Sequence, residues 1–237
     1  LITFTNVFAH ISDLDSLLTA LKKLMHENTI LVIENHYLGS ILEKNQFDTF
    51  YHEHPRTYSL KSFIEISRRL SKELSHISFP KRYGGNIRVF ISSKKSSIKT
   101  SNLIKEVSKL ETNLKKKFIE MSEFIKNWKT FKRNQILKII KENNGPIIAK
   151  AYPARAAILI NILELDIQHI KCIYEKPGSK KIGHFVPGTQ IPIISDNELF
   201  SDIRKHKFIL NLAWHIPEEI TKYLNAKGFD GLFINII

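Results

Sequence analysis

The densest concentration of reactive side chains is Tyr51, His52, Glu53 and His54, four consecutive positions within FDTFYHEHPRTYSL (47–60) that stop at Pro55. Histidine near neutrality accepts a proton and hands it on, and a neighbouring carboxylate orients the ring or raises its basicity. If 47–54 is helical, Tyr51 and His54 share a face at i, i+3. Pro55 biases His54 away from helical geometry and puts it at the rim of an element, where a cleft would use it. On residue types alone, a hydrogen-bonded polar turn is an equal reading. A metal site is disfavoured, because His52 and His54 are two apart instead of four and no second His, Cys or Asp cluster supplies further ligands.

These residues need a scaffold. LITFTNVFAHI reads as a buried strand with a polar turn at Asn6, and DLDSLLTALKKLM as an amphipathic helix with Asp13 as its cap and Leu14, Leu17, Leu18, Leu21 and Leu24 at helical spacing. NTILVIENHYL (28–38) is a second apolar strand. Strand, helix, strand implies parallel neighbours, whose carboxyl ends (6–10 and 34–37) lie where open α/β sheets bind ligands. His10 sits at one of those ends, where a lone histidine is more often structural. SLKSFIEISRRLS reads as a helix, and HISFPKRYGGNIRVFISS as two antiparallel strands meeting at Gly84 and Gly85, with Arg88 alternating against Ile87 and Val89. One long helix, 102–142, follows and stops at NNGP, where Gly145 can cap and Pro146 cannot continue. From Pro146 a second alternating pattern runs: strand PIIAKAY, helix, strand IKCIYEK, a loop over PGSKKIGHFVPGTQIPII, helix, strand KFILNLAW, helix, strand GLFINII. Trp214 and His215, in NLAWHIPEEI, follow a strand and either cap a cleft or close the domain.

Composition narrows the partners. A chain of 237 residues with 43% hydrophobic content supports a real core. The single cysteine, Cys172, rules out an internal disulfide framework, fits a reducing compartment and reads as buried filler. No apolar run reaches the roughly 20 residues needed to span a bilayer, and the opening residues lack a basic signal-peptide region, so a cytoplasmic protein without membrane partners is expected. The net charge of +13 raises a nucleic-acid partner, but the excess lysine alternates with glutamate and an apolar stripe along 105–144, as on a solvated helix face, and no nucleic-acid-binding motif accompanies it. The nine glycines never fall as G-x-G-x-x-G, and AKAYPARAA has none, which disfavours a dinucleotide site in the C-terminal half.

Taken together and in order, TNVFAHISDL, NQFDTFYHEHPRTYSL, YGGNIRVFIS, PARAAILIN, KIGHFVPGTQIPI and NLAWHIPEEI resemble the C-methyltransferases that act on nucleotide-linked keto-deoxysugars. The resemblance covers nearly the whole chain. It implies an α/β protein: residues 1–60 as the C-terminal half of a class I, Rossmann-type S-adenosylmethionine domain, 61–142 as a connecting region of antiparallel strands and a long helix, and 143–237 as a C-terminal Rossmann-like α/β domain. It implies methylation of carbon 3 of a 4-keto sugar carried on a nucleoside diphosphate. His54 is then the base that forms an enolate, Tyr51 and Glu53 donate or orient, and His10 faces the sugar. Asn6 lies near the cofactor's methionine portion, while Gly84, Gly85 and Arg88 contact the nucleotide sugar. The family's zinc-binding module, glycine loop and ribose-holding acid would lie upstream of Leu1. The S-adenosylmethionine site is therefore expected to be incomplete, zinc is expected only in that module, and the missing half would come from another chain if this product acts. Without it, Ile2, Phe4, Leu31 and Ile33 are expected to form an unpaired apolar edge. The alternative is a non-catalytic module that binds nucleotide sugars or scaffolds a partner.

Overall fold

The computed structural model describes residues 1–237, the side chain of Tyr83 excepted. The chain packs as two compact units, Leu1–Phe124 and Ile125–Ile237. In the first, β1 (Ile2–Thr5) and β2 (Leu31–His36) are parallel and joined by α1 (Leu14–Leu24). Asp13 caps α1 by accepting from the Ser16 N–H. Of its leucines Leu18 and Leu21 are buried, while Leu24 is 64% exposed, so the buried stripe is narrower than the spacing implies. After β2 come α2 (Leu38–Glu43) and α3 (Leu60–Arg69), then β3 (Glu73–Ser78) and β4 (Asn86–Ser92).

The sheet order is β1-β2-β4-β3, with β4 antiparallel to both neighbours. Residue 60 thus falls inside the stretch that builds one sheet. The edge expectation is corrected at the same point: β4 covers β2, so Leu31 and Ile33 are interior and fully buried, and the apolar edge is confined to β1. One face of the sheet carries Leu31, Ile33, Ile87, Val89 and Ile91 against Phe8, Leu60 and Phe63, each large side chain contributing roughly 2 kcal/mol by leaving water.

The single helix expected over 102–142 is two: α4 (Ile98–Leu110) and α5 (Leu114–Asn143), separated by a 3-10 turn at Glu111–Asn113. The break turns Glu111 into the core. Its buried carboxylate accepts from the Leu60 and Lys61 N–H groups (2.5 and 3.0 Å) and from the Tyr37 hydroxyl (3.0 Å). An anion at a helix N-terminus meets the unpaired N–H groups of the first turn. Burial, then the Glu111 charge, raises the Tyr37 phenol well above its usual range. At the end of α5 the left-handed residue is Asn144 (φ 56°), with Gly145 one position later. The Gly145 N–H reaches the Ile140 carbonyl and the Asn144 N–H that of Lys141, the double closure of a Schellman motif.

The second unit holds β5 (Ile147–Lys150), α6 (Ala156–Ile162), β6 (Ile170–Glu175), β7 (Ile193–Ser195), α7 (Asp196–Phe200), β8 (Phe208–Asn211), α8 (Pro217–Ala226) and β9 (Leu232–Asn235). All five strands are parallel in the order β7-β6-β5-β8-β9. This is a doubly wound arrangement whose direction reverses between β5 and β8. β7 starts in the last two residues of the stretch read as loop. It is fed by a turn in which Phe185 bridges Pro192 and the Val186 N–H bonds the Ile191 carbonyl. Cys172 is buried, and burial pushes its thiol above the ordinary value. Among the described residues no helix is long and apolar enough to cross a membrane.

Candidate active site

The end of β1 is bent by Asn6, whose left-handed φ of 52° an asparagine tolerates better than most residues. Its N–H donates to the Glu34 carbonyl at 2.8 Å. A one-turn 3-10 segment, Phe8–His10, follows. Phe8 is fully buried against Phe4, Tyr58 and Phe63, with ring centroids at 5.5, 5.2 and 6.4 Å, and so anchors the turn that presents His10.

The second contributor is not one helix over 47–54. A 3-10 turn at Phe47–Thr49 is followed by a tight turn that the His54 N–H closes onto the Tyr51 carbonyl at 2.9 Å. That turn supplies the i, i+3 neighbourhood that a helix would have given. The Tyr51 and His54 ring centroids are 4.5 Å apart, and His10 meets His54 at 4.7 Å. The Tyr51 hydroxyl donates to Glu53 at 3.0 Å. His52 points outward, 84% exposed, and touches Glu53 only at 4.0 Å.

His54 Nδ1 lies 3.0 Å from the Thr49 carbonyl. A carbonyl oxygen only accepts, so Nδ1 carries the hydrogen, and the neutral ring's lone pair is on Nε2. The sequence reading missed a third imidazole. His36, the last residue of β2, lies 5.8 Å from the His54 ring. Its place at a strand's carboxyl end is the signal that could have found it. Among the described residues no three His, Cys, Asp or Glu are grouped to hold a metal ion.

Two residues earlier on β2, and on the same face as His36, Glu34 starts a second cluster. Arg88 faces it from β4, with Nε and Nη2 at 2.7 and 2.6 Å from one carboxylate oxygen. The Asn86 amide donates to the other Glu34 oxygen and to Asn6 Oδ1, both at 3.0 Å. Burial acts to raise the Glu34 carboxyl, but the hydrogen bonds from Asn86 and Arg88, with the Arg88 and Arg82 charges, hold it below the usual value. Asn6 and Arg88 therefore join one network through Asn86 and Glu34. Gly84 and Gly85 (φ 84° and 132°) pack where a side chain would run into Gln46 and Ser40. Their carbonyls accept from Lys44 and from the Tyr37 N–H. In the second unit, Trp214 follows β8 with the Arg155 guanidinium 5.6 Å over its ring.

Residues 81–237 match the family model described as the C-methyltransferase C-terminal domain. The chain is also similar to the C-methyltransferase NovU of Streptomyces niveus, 24% identical over 232 residues that cover 94% of this chain and 52% of the relative. It thus spans about half the length of that curated relative. The imidazole cluster lies before residue 81, outside the part that the family model matches. With two-thirds of its length matched by that model, the chain belongs to the C-methyltransferase family, through its C-terminal domain.

Proposed function

We propose that the protein serves S-adenosylmethionine-dependent methylation of carbon 3 of a nucleotide-linked 4-keto-deoxysugar, with His54 as the base. The observation that carries this reading is the Nδ1 hydrogen bond to Thr49, which leaves the basic lone pair on Nε2 in a ring flanked by His10, His36 and Tyr51. A hydrogen on the carbon beside a ketone is weakly acidic. His54 Nε2 takes it, and the electron pair moves into the carbonyl to give an enolate. Tyr51, held by Glu53, and His10 border the ring and orient the sugar.

S-adenosylmethionine, when bound, supplies the methyl group. At the strand ends, buried polar atoms without a protein partner among the described residues are Asn86 Oδ1, in the amide that bonds Asn6, and Asn35 Nδ2 on the opposite face of the sheet. The Asn86 amide, with Asn6 beside it, suits the methionine portion. The glycine loop and ribose acid that hold the rest are not among these strand ends, so a complementary half is required, and on this reading the chain alone turns over little. The test is methyl transfer to a thymidine diphosphate keto-sugar, with and without an S-adenosylmethionine-binding half. In the complemented protein His54→Asn is expected to lower turnover by about 10² to 10⁴. Turnover within tenfold of the parent would overturn the assignment.

A further inference from the structure

His54, Arg56 and Tyr58 alternate along the stretch that leaves the site, and all three reach the same segment, residues 8–12. The His54 ring meets His10, and the Arg56 Nη1 donates to the carbonyls of Ile11 (2.8 Å) and Ser12 (2.6 Å). The Tyr58 hydroxyl donates to the Phe8 carbonyl at 3.4 Å, beneath ring packing at 5.2 Å. The chain bends at Pro55, which fixes φ between His54 and Arg56, and from there every second side chain reaches the 8–12 segment.

The three ties differ in kind. Phe8 is wholly buried, so its end of the segment is held by packing. Ile11 and Ser12 lie between the 3-10 turn and α1 and belong to neither element. There Arg56 grips two adjacent carbonyls through one nitrogen. Two neutral acceptors gripped by one charged, planar donor favour arginine: its bonds are charge-assisted and its fork is rigid, whereas lysine offers a single flexible point.

We propose that Arg56 is a positioning residue whose guanidinium clasps the Ile11–Ser12 backbone and so holds the His10 ring against His54. Its catalytic consequence rests on the reading of His54 as the base. The clasp is a statement about geometry and is tested separately.

Ring-proton cross-peaks between His10 and His54, and between Phe8 and Tyr58, are measured by NMR on this chain. Arg56→Ala is expected to remove the first and keep the second, and Arg56→Lys to retain the first in weakened form. In the complemented enzyme Arg56→Ala lowers kcat by roughly tenfold to a hundredfold with KM unchanged, the scale of a misplaced catalytic group. Added guanidinium ion restores Arg56→Ala and leaves His54→Asn inactive. A His10–His54 cross-peak that survives in Arg56→Ala, with Phe8–Tyr58 intact, overturns the clasp. If Arg56→Ala does not fold, Arg56→Gln, with one neutral donor of similar reach, is judged by the same pair of cross-peaks. Loss of the cross-peak together with full activity of His54→Asn supports the clasp and removes the base assignment instead.

Discussion

The two units treat the carboxyl ends of their parallel strands differently. In the second, the strand-end polar groups are buried or half-buried and hydrogen-bonded to side chains and backbone beside them. Lys150 at the end of β5 pairs with Asp196 at 2.8 Å, with side chains 3% and 0% exposed, and the Tyr223 hydroxyl donates to the same carboxylate oxygen at 3.0 Å. Glu175 at the end of β6 accepts the Tyr152 N–H at 2.7 Å, and Asn211 at the end of β8 bonds Asn235 and Ala213. In the first unit Glu34 and Asn86 are likewise buried and paired, but beside them the imidazoles of His10, His36 and His54 reach solvent at least partly and meet edge to face. The same edge of an α/β sheet holds a domain together where its polar groups pair with one another, and offers side chains to a ligand where they reach solvent.

Perturbing each edge should therefore give opposite signatures. The largest effect is expected for His54→Asn: turnover of the complemented enzyme falls by about 10² to 10⁴ while denaturant stability changes by less than about 1 kcal/mol. Asp196→Ala should do the reverse in the second unit. It strands a buried Lys150 and costs about 3 kcal/mol in urea unfolding, whereas the double variant Lys150→Met with Asp196→Leu should come back near the parent, because apolar side chains of similar size replace a buried ion pair at little cost. Recovery that fails in the double variant would give the pair a role beyond pairing.

Arg88→Ala tests the network beside the imidazoles. It leaves Glu34 buried with only Asn86, and a loss of about 2 kcal/mol is expected, tempered because the Arg88 side chain is 38% exposed. The pH dependence follows from the lowered Glu34 carboxyl. Its contribution is complete above the ordinary value of 4.5 and disappears as the pH falls from there through the folded value, so Glu34→Gln should flatten the acid limb of a stability profile. The smallest effect is at the α3 cap. Ser59→Ala removes a reciprocal capping box, yet Glu111 still meets the Leu60 and Lys61 N–H groups, so about 0.5 to 1 kcal/mol is expected by thermal unfolding.

How much was legible depended on the distance between partners along the chain. The Asp13 cap reaches only Ser16, and the stop after α5 is closed between residues 140 and 145, so both could be read locally. Glu111 could not. It sits among helix-compatible charges, and the groups that turn it inward, Leu60 and Tyr37, lie 51 and 74 residues away. His36 fell within a strand end flagged for ligand binding but was not singled out, because its face depends on the pairing of β2 with β1 and β4.

By itself the sequence determined much of the local vocabulary: most of the helices and strands, the Asp13 cap and the stop after α5, and a block of chemically able residue types at Tyr51, Glu53 and His54. Only the tertiary structure decided that His10 and His36 share that block's space, that Arg88 is engaged by Glu34, and that β4 closes over β2. The reason is physical. Helix and turn signals act over a few residues and are written in their order, whereas the meeting of side chains dozens of residues apart is set by strand register and core packing, which no short window contains.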